Sequence, residues 1–474
     1  MAYRILTWFL RIVTRVFFRQ IEIVGLEHVP AAGPVLFAGN HPNSLIDPIL
    51  IITTCGRKVH FAAKDTLFKG RFMRAVLHGL GAVPIKRRDD HAGATAGNEA
   101  AFDAMYAVLD DGGAVGIFPE GLSHDDAHLS RLKTGAARLA LGGAQRTQQP
   151  ITIVPCGLTF IHPKRFRSRV LVQFGAAIVV APARPNTPEP SARPEAEREQ
   201  VRAVTGEIET GLRRLTVNAP DWDTVRALDV VRRLYQPQEI SIEERVELAR
   251  RFNTYYAAVA DDPRVVTLMA RVRAYQDKLD ELGLGDRELA RDLSKLEVAG
   301  RVLRQLFLVA VVLPLCAPGA PLHVPPLVFA RLASGRLTPR KDVVATTKLM
   351  IGMLMVLLAY AATVSVFWWR FGFWAALALA IVLPISGWAT LRVLDRLRLV
   401  RRGLGVLFRR LRFRREVVAL RRERAELVDA VVAVVTAVKP ADLPALFPPD
   451  HPDRLVEESS RARRNADLDA EYDK

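Results

Sequence analysis

Early in the chain, the stretch Gly39-Asn40-His41-Pro42-Asn43-Ser44-Leu45-Ile46-Asp47-Pro48 carries the residue types needed to take a proton from an alcohol. Imidazole titrates near neutrality, so His41 can accept a hydroxyl proton. A neighbouring carboxylate, Asp47, can fix the ring's tautomer and stabilise the imidazolium that forms. The apolar run Val35 to Ala38 just before it reads as a strand, and loops at strand ends are where α/β domains keep reactive groups. Such a pair standing alone is more often structural, but two further segments accompany it. Ile117-Phe118-Pro119-Glu120-Gly121 also closes a strand: its glycine admits a ligand close to the backbone, and Glu120 can accept hydrogen bonds from hydroxyls or orient a cation. Gly81-Ala82-Val83-Pro84-Ile85-Lys86-Arg87-Arg88 delivers cations to the edge of another strand, where arginine's planar fork suits a phosphate dianion.

Together these segments resemble the glycerolipid acyltransferase family, which includes the glycerol-3-phosphate and 1-acylglycerol-3-phosphate acyltransferases. Its members carry Asn-His-x-x-x-x-Asp, Gly-x-x-x-x-x-Arg, Phe-Pro-Glu-Gly and Val-Pro blocks in that order. The matches here are Asn40-His41 with Asp47, Gly81 with Arg87, Phe118 to Gly121, and Val154-Pro155, all within residues 30 to 160. Five residues separate His41 from Asp47 where the family usually has four, so pairing requires the extra residue to bulge. That spacing, with Phe-Pro-Glu-Gly-Leu-Ser-His124 and Leu132-Lys133-Thr134-Gly135, is similar to the fungal enzymes that acylate glycerol-3-phosphate or dihydroxyacetone phosphate, and to their bacterial relatives. Those fungal enzymes also have a long C-terminal extension with membrane segments.

The resemblance implies acyl transfer from acyl-CoA or acyl-carrier protein to a hydroxyl of glycerol-3-phosphate or dihydroxyacetone phosphate. It implies His41 as base, Asp47 as its partner, Arg87 on the phosphate, Glu120 and Gly121 at the glycerol phosphate, and Arg88 and Lys133 as further positive charge. Lys64 and Lys86 are weaker candidates for that charge. Because the motifs bind a shared phosphate, 1-acylglycerol-3-phosphate remains open as the acceptor. A thioester is already activated, so the reading requires no cofactor, metal or covalent intermediate. Neither Ser44 nor Ser123 lies in a Gly-x-Ser-x-Gly elbow. His124, Asp125, Asp126 and His128 cluster in sequence, but their spacing matches no standard ligand set and reads as a solvated loop.

The elements that must position these groups follow from periodicity. Residues 21–181 alternate short apolar runs with helical patterns, predicting an α/β domain with a mixed sheet flanked by helices. Strands are expected at Val35 to Ala38, Val59 to Ala63, Ala82 to Lys86, Ala114 to Phe118, Ile151 to Leu158 and Val170 to Phe174, and helices at Asn98 to Leu109 and Leu132 to Leu141. Residues 1–20 read as an amphipathic helix in the membrane interface, with packing on the protein's own core as the alternative. They make a poor signal peptide. A proline-rich linker, 182–198, leads to a helical region, 199–304, in which Ser241-Ile-Glu-Glu244 is a capping box.

Residues 305–395 form the expected membrane region. Leu349 to Trp369 and Phe371 to Leu391 are each uncharged and long enough to cross a hydrocarbon core, so they predict a transmembrane hairpin turning at Arg370. The proline-cut stretch 306–329 reads as re-entrant or interfacial. The 474 residues carry a net charge of +17, which calls for a polyanionic partner. The densest basic run, Arg396 to Arg424 at the start of a basic helical tail (396–474), directly follows an apolar segment, which favours anionic membrane lipids over nucleic acid. Cys55, Cys156 and Cys316 follow no metal or disulfide spacing. The expected placement is a multi-pass membrane protein, in the inner or cell membrane if bacterial, with its catalytic domain on the cytoplasmic side. A non-enzymatic scaffold gathering anionic lipids is the rival from another class.

Overall fold

The computed structural model describes residues 2–86, 98–182, 193–236, 240–290, 295–338, 340–443, 445 and 447. It divides into two compact units, residues 1–218 with 330–353, and residues 219–329 with 354–474.

In the first unit, helix α1 (Ala2–Phe17) runs directly into β1 (Phe18–Val24). There follow β2 (Val35–Gly39), α2 (Ile46–Thr54), β3 (Val59–Lys64), α3 (Arg71–Gly79), β4 (Val83–Ile85), α4 (Glu99–Asp110), β5 (Ala114–Ile117) and α5 (Gly135–Thr147). Strands β6 (Ile151–Phe160), β7 (Ser168–Phe174) and β8 (Ile178–Val180), then α6 (Arg193–Leu215), complete it. The sheet order is β1-β7-β6-β2-β5-β3-β4, with β8 also paired to β6. Strand β6 runs antiparallel to β7 and β8, and every other pairing is parallel, so the sheet is mixed as expected.

Strand β2 shows why the domain is layered. Val35, Leu36, Phe37 and Ala38 are all fully buried, as a central parallel strand covered on both faces requires. Alternate side chains enter opposite cores: Val35 and Phe37 join Leu50, Val154 and Phe174, while Leu36 and Ala38 join Met105, Val115, Leu139 and Leu212.

Three readings of this unit are corrected. The interfacial helix of 1–20 ends at Phe17, and residues from Phe18 pair with β7; a strand hides there because Arg19, Gln20 and Glu22 are exposed or partly so. Strand β8 falls in the stretch after Phe174, where none was expected. The helix placed at Leu132 to Leu141 begins instead at Gly135 and continues to Thr147. Leu129 and Leu132 are buried without being helical, so burial rather than helix periodicity made that run apolar. One face of helix α1 packs on the protein's own core through Thr7, Val13, Thr14 and Phe17, while Ile5, Trp8, Ile12 and Val16, spaced three or four apart, form an exposed apolar stripe.

The second unit is helical: α7 (Trp222–Tyr235), α8 (Ile242–Val259), α9 (Pro263–Glu281), α10 (Asp286–Ala290), α11 (Lys295–Cys316), α12 (Ala320–Leu337), α13 (Val344–Phe371), α14 (Phe373–Arg412) and α15 (Arg414–Val438). Helices α12 and α13 belong to the first unit over residues 330–353. The Ser241 capping box opens α8 as expected, with Ser241 and Glu244 each bonding the other's backbone N–H. Leu234, Leu268, Val272, Tyr275, Leu427 and Val428 belong to a core shared by α7, α9 and α15.

Among the described residues, three helical stretches are long and apolar enough to cross a membrane: Ala299–Cys316, Lys341–Phe371 and Phe373–Gly405. The hairpin turns at Gly372, whose φ of +85° suits glycine, two residues beyond the expected turn. Residues 306–329 fall on two helices separated at 317–319: α11 carries Pro314 near its end, and α12 holds Pro325 and Pro326. The tail expected from 396 does not begin as a separate element, since α14 runs unbroken to Arg412.

Candidate active site

Strands β2 and β5 are neighbours and parallel, so their C-terminal ends bring the His41 loop and the Phe118–Gly121 turn together. Asn40 starts the loop by acting as a surrogate strand residue. Its Nδ2 donates to Leu158 O (3.1 Å), and its Oδ1 accepts from Leu158 N (2.7 Å), continuing the β2–β6 ladder past the end of β2. That clamp fixes the backbone at His41.

His41 Nδ1 faces Asp47 Oδ2 at 2.8 Å. Asp47 lies in the first turn of α2, fully buried, where an acid is favoured by the helix dipole. Its Oδ2 also accepts from Asn43 N (2.7 Å), while Oδ1 has no hydrogen-bond partner among the described residues. Burial, opposed by the Asn43 hydrogen bond and reinforced by the charges of Glu120 and Asp342, pushes the Asp47 carboxyl well above the ordinary carboxylate range. A lone charge is therefore disfavoured there, and an imidazolium forming at His41 pairs it. The five-residue spacer is absorbed at Ser44, whose φ of +50° is left-handed, and the extra residue thus bulges out of the loop.

The ring of His41 stacks on Phe118, centroids 4.0 Å apart and planes 6° from parallel, and Phe118 in turn stacks on Phe61 at 5.3 Å. Gly116 makes room for this pile, since a β-carbon there would lie 2.4 Å from the Phe61 ring. Phe118 belongs to a quoted motif but had no assigned role, because nothing in the spacing shows that its ring lies under the imidazole.

Glu120 is buried and turned inward. Oε1 accepts from His41 N (2.8 Å), and Oε2 accepts from Ser130 N (2.9 Å) and meets His124 Nε2 in a short contact. Both oxygens are thus used by the protein, so in this structure Glu120 fastens the His41 loop to its own turn. His124 is correspondingly half-buried, not part of a solvated loop. Its hydrogen bond to Glu120, opposed by burial, raises it above the ordinary imidazole range. Asp125 pairs with Lys164 (2.6 Å), whereas Asp126 and His128 are exposed. These four residues do not converge as a ligand set, and no metal-holding group of His, Cys, Asp and Glu occurs among the described residues.

Gly121 has φ +78°, and a β-carbon on it would meet Lys133 Nζ at 2.7 Å. The exposed Lys133 side chain thus lies along the glycine, on the turn that holds Glu120. Arg87 and Arg88 lie outside the described residues. Lys86, just before them, is exposed, with its backbone held from both sides by Asn98 (3.0 Å each), and Lys64 ends β3 beside β4.

The Acyltransferase family model matches residues 20–159, and the glycerol-3-phosphate acyltransferase 2 C-terminal domain matches residues 227–443. In these two matches the chain resembles the glycerolipid acyltransferase family, on its fungal-type glycerol-3-phosphate acyltransferase side. It is 26% identical to glycerol-3-phosphate O-acyltransferase 2 of Saccharomyces cerevisiae, over 76% of this chain and 65% of that one. It is 25% identical to glycerol-3-phosphate O-acyltransferase 1 of the same yeast, over 77% and 60%. An uncharacterized acyltransferase of Schizosaccharomyces pombe is 24% identical over 97% of this chain and 84% of its own length. The chain thus spans somewhat under two thirds of the two Saccharomyces proteins.

Proposed function

We propose that this protein is a membrane-bound acyltransferase that moves a fatty acyl group from acyl-CoA or acyl-carrier protein to a hydroxyl of glycerol-3-phosphate or dihydroxyacetone phosphate, in phospholipid synthesis. The observation that carries this reading is the buried His41–Asp47 pair, 2.8 Å apart, with its imidazole stacked on Phe118. With Nδ1–H directed at Asp47, Nε2 is the basic nitrogen. It takes the acceptor's hydroxyl proton as that oxygen attacks the thioester carbonyl. The new C–O bond replaces the C–S bond, and the proton passes from His41 to the departing thiolate. Lys133 and the Arg87-Arg88 run supply positive charge for the phosphate. Glu120 and Gly121 shape the turn on which Lys133 lies.

The three apolar helices and the exposed stripe of α1 support membrane association, and we place the catalytic domain on the cytoplasmic side. Thirteen arginines lie from Arg392 to Arg424, and Arg331, Arg336, Arg340, Lys341 and Lys348 precede or open the hairpin, a distribution that keeps both of its ends in the cytosol. The test supplies purified full-length protein with labelled acyl-CoA or acyl-carrier protein and, separately, glycerol-3-phosphate, dihydroxyacetone phosphate or 1-acylglycerol-3-phosphate. Transfer to the first or second acceptor, abolished in His41→Ala while membrane binding persists, is the expected result. Exclusive use of the monoacylated acceptor overturns the assigned substrate, and undiminished transfer by His41→Ala removes the base.

A further inference from the structure

We propose that Arg340 and Asp342, in the segment leading into α13, are positioning residues of the active site: they hold the turn after Glu120, and through it the geometry of His41. The proposal rests on the acyltransferase reading for its kinetic test.

Asp342 is buried and makes three contacts. Its Oδ2 accepts from Ser123 Oγ at 2.5 Å and from Arg340 Nη2 at 2.8 Å, and its Oδ1 accepts from Arg340 Nε at 3.2 Å. The same Arg340 Nη2 donates to Ser123 O (2.9 Å) and Ser123 Oγ (3.1 Å). Ser123, itself buried, is therefore held at both its hydroxyl and its carbonyl by a segment more than two hundred residues further along the chain.

Ser123 adjoins the machinery directly. The next residue, His124, donates its backbone N–H to His41 O (3.3 Å), and its ring binds Glu120, whose other oxygen holds His41 N at 2.8 Å. A shift of Ser123 thus moves His124, then both backbone anchors of His41. The same segment reaches the other side of the catalytic loop, where Thr346 Oγ1 donates to Asn43 O (3.4 Å). Asn43 N is one of the two donors to Asp47 Oδ2. Lys348 Nζ donates to Lys164 O (2.7 Å), and Ala345 is fully buried in the core that contains Phe37 and Leu50.

A docking contact alone would not need this arrangement. A buried carboxylate is destabilising unless paired, and the apolar surface around Ala345 already attaches the segment. The charge of Asp342 also bears on the site, because it raises both Asp47 and His124. Segment 340–348 thus completes the acyltransferase site from outside the 20–159 stretch that the family model matches.

The test compares full-length Asp342→Asn, Ser123→Ala, their combination and Asp342→Glu in the labelled acyl-transfer assay, with melting temperature measured for each. Loss of anchoring is expected to lower kcat by about ten- to a hundredfold, the scale of a small misplacement of reacting groups. The acceptor KM is expected to stay within about twofold of the parent, the double variant to be no worse than the weaker single, and Asp342→Glu to recover part of the loss. A folded Asp342→Asn with parental kcat, or additive losses in the double variant, overturns the proposal. Should Asp342→Asn fail to fold, Ser123→Ala decides, since it removes only the hydroxyl. If the parent transfers no acyl group to any glycerol phosphate, the functional reading has failed, and hydrogen exchange decides the positioning claim. Faster exchange over residues 120–130 in Ser123→Ala supports it, and unchanged exchange there sinks it.

Discussion

Replacing Asp47 by Asn tests the central pair with almost no change of shape. The carboxylate accepts two hydrogen bonds on Oδ2, from His41 Nδ1 and Asn43 N, and none on Oδ1 among the described residues. An amide that keeps its oxygen at Oδ2 retains both bonds but leaves its NH2 buried without an acceptor, a cost of roughly 1–3 kcal/mol. Turned the other way, the NH2 opposes Asn43 N and forces Nδ1 of His41 to accept, which puts the proton on Nε2 and removes the base. In either orientation the charge that stabilises the imidazolium is gone. Two unit charges about 4 Å apart at an effective dielectric constant of about 20 attract by about 4 kcal/mol. At about 1.4 kcal/mol per tenfold, that is roughly a thousandfold in kcat. Single-turnover transfer of labelled acyl groups by Asp47→Asn should show this loss with acceptor affinity little changed, since Asp47 is too deep to touch substrate. A loss under about tenfold in a protein of unchanged melting behaviour would refute the electrostatic argument.

Gly121→Ala should destabilise the first unit by about 1–2 kcal/mol through its left-handed φ and, by displacing Lys133, raise the acceptor KM; an unchanged KM would detach Lys133 from phosphate binding. His124 is held above its ordinary 6.5 by Glu120, so its stabilising contribution is complete below pH 6.5 and fades as pH rises through the raised value. Melting curves across that window should therefore show a decline in the parent that is smaller in His124→Gln; equal declines would disconnect the pair from stability. Single cysteines at positions 370 and 402, in a variant lacking Cys55, Cys156 and Cys316, should in intact cells react with an impermeant thiol reagent at 370 only. Labelling at 402 with protection at 370 would reverse the orientation and remove the catalytic domain from the cytosol.

What the sequence made legible was local. His41, Asp47, Glu120 and Gly121 announced themselves because the two strand ends that carry them are each followed at once by polar residues and glycine. The two long helices were legible because lipid demands uninterrupted apolar length. Failures occurred where burial and periodicity part company. Strand β1 displays Arg19 and Glu22 and continues from a helix without a break; of the prolines in 306–329, Pro318 lies at the break between α11 and α12, while Pro314, Pro325 and Pro326 lie within helices. The inward turn of Glu120 was equally hidden, since its partners His41, His124 and Ser130 are set by the fold of the loop rather than by spacing. No local pattern joins Ser123 to Asp342, because that contact exists only once the chain has returned.

A phosphate acceptor poses an electrostatic problem for a site built on buried acids. Asp47, Glu120 and Asp342 lie close enough for the latter two to raise the first, and three bare carboxylates would repel a dianion. Each has instead been given one basic partner: His41 faces Asp47, His124 faces Glu120 and Arg340 faces Asp342. The pairs are not equivalent. Each acid also accepts from a backbone or hydroxyl donor, Asn43 N for Asp47, Ser130 N for Glu120 and Ser123 Oγ for Asp342, but Glu120 and Asp342 have both oxygens engaged in holding loops. Asp47 alone keeps an oxygen with no hydrogen-bond partner among the described residues, and its partner is the one imidazole stacked on a phenyl ring. On the proposed function, that asymmetry favours His41 as the group whose protonation changes during turnover, with His124 and Arg340 neutralising the remaining acids. The exposed Lys133 can then attract the phosphate without opposition from the acids beneath it.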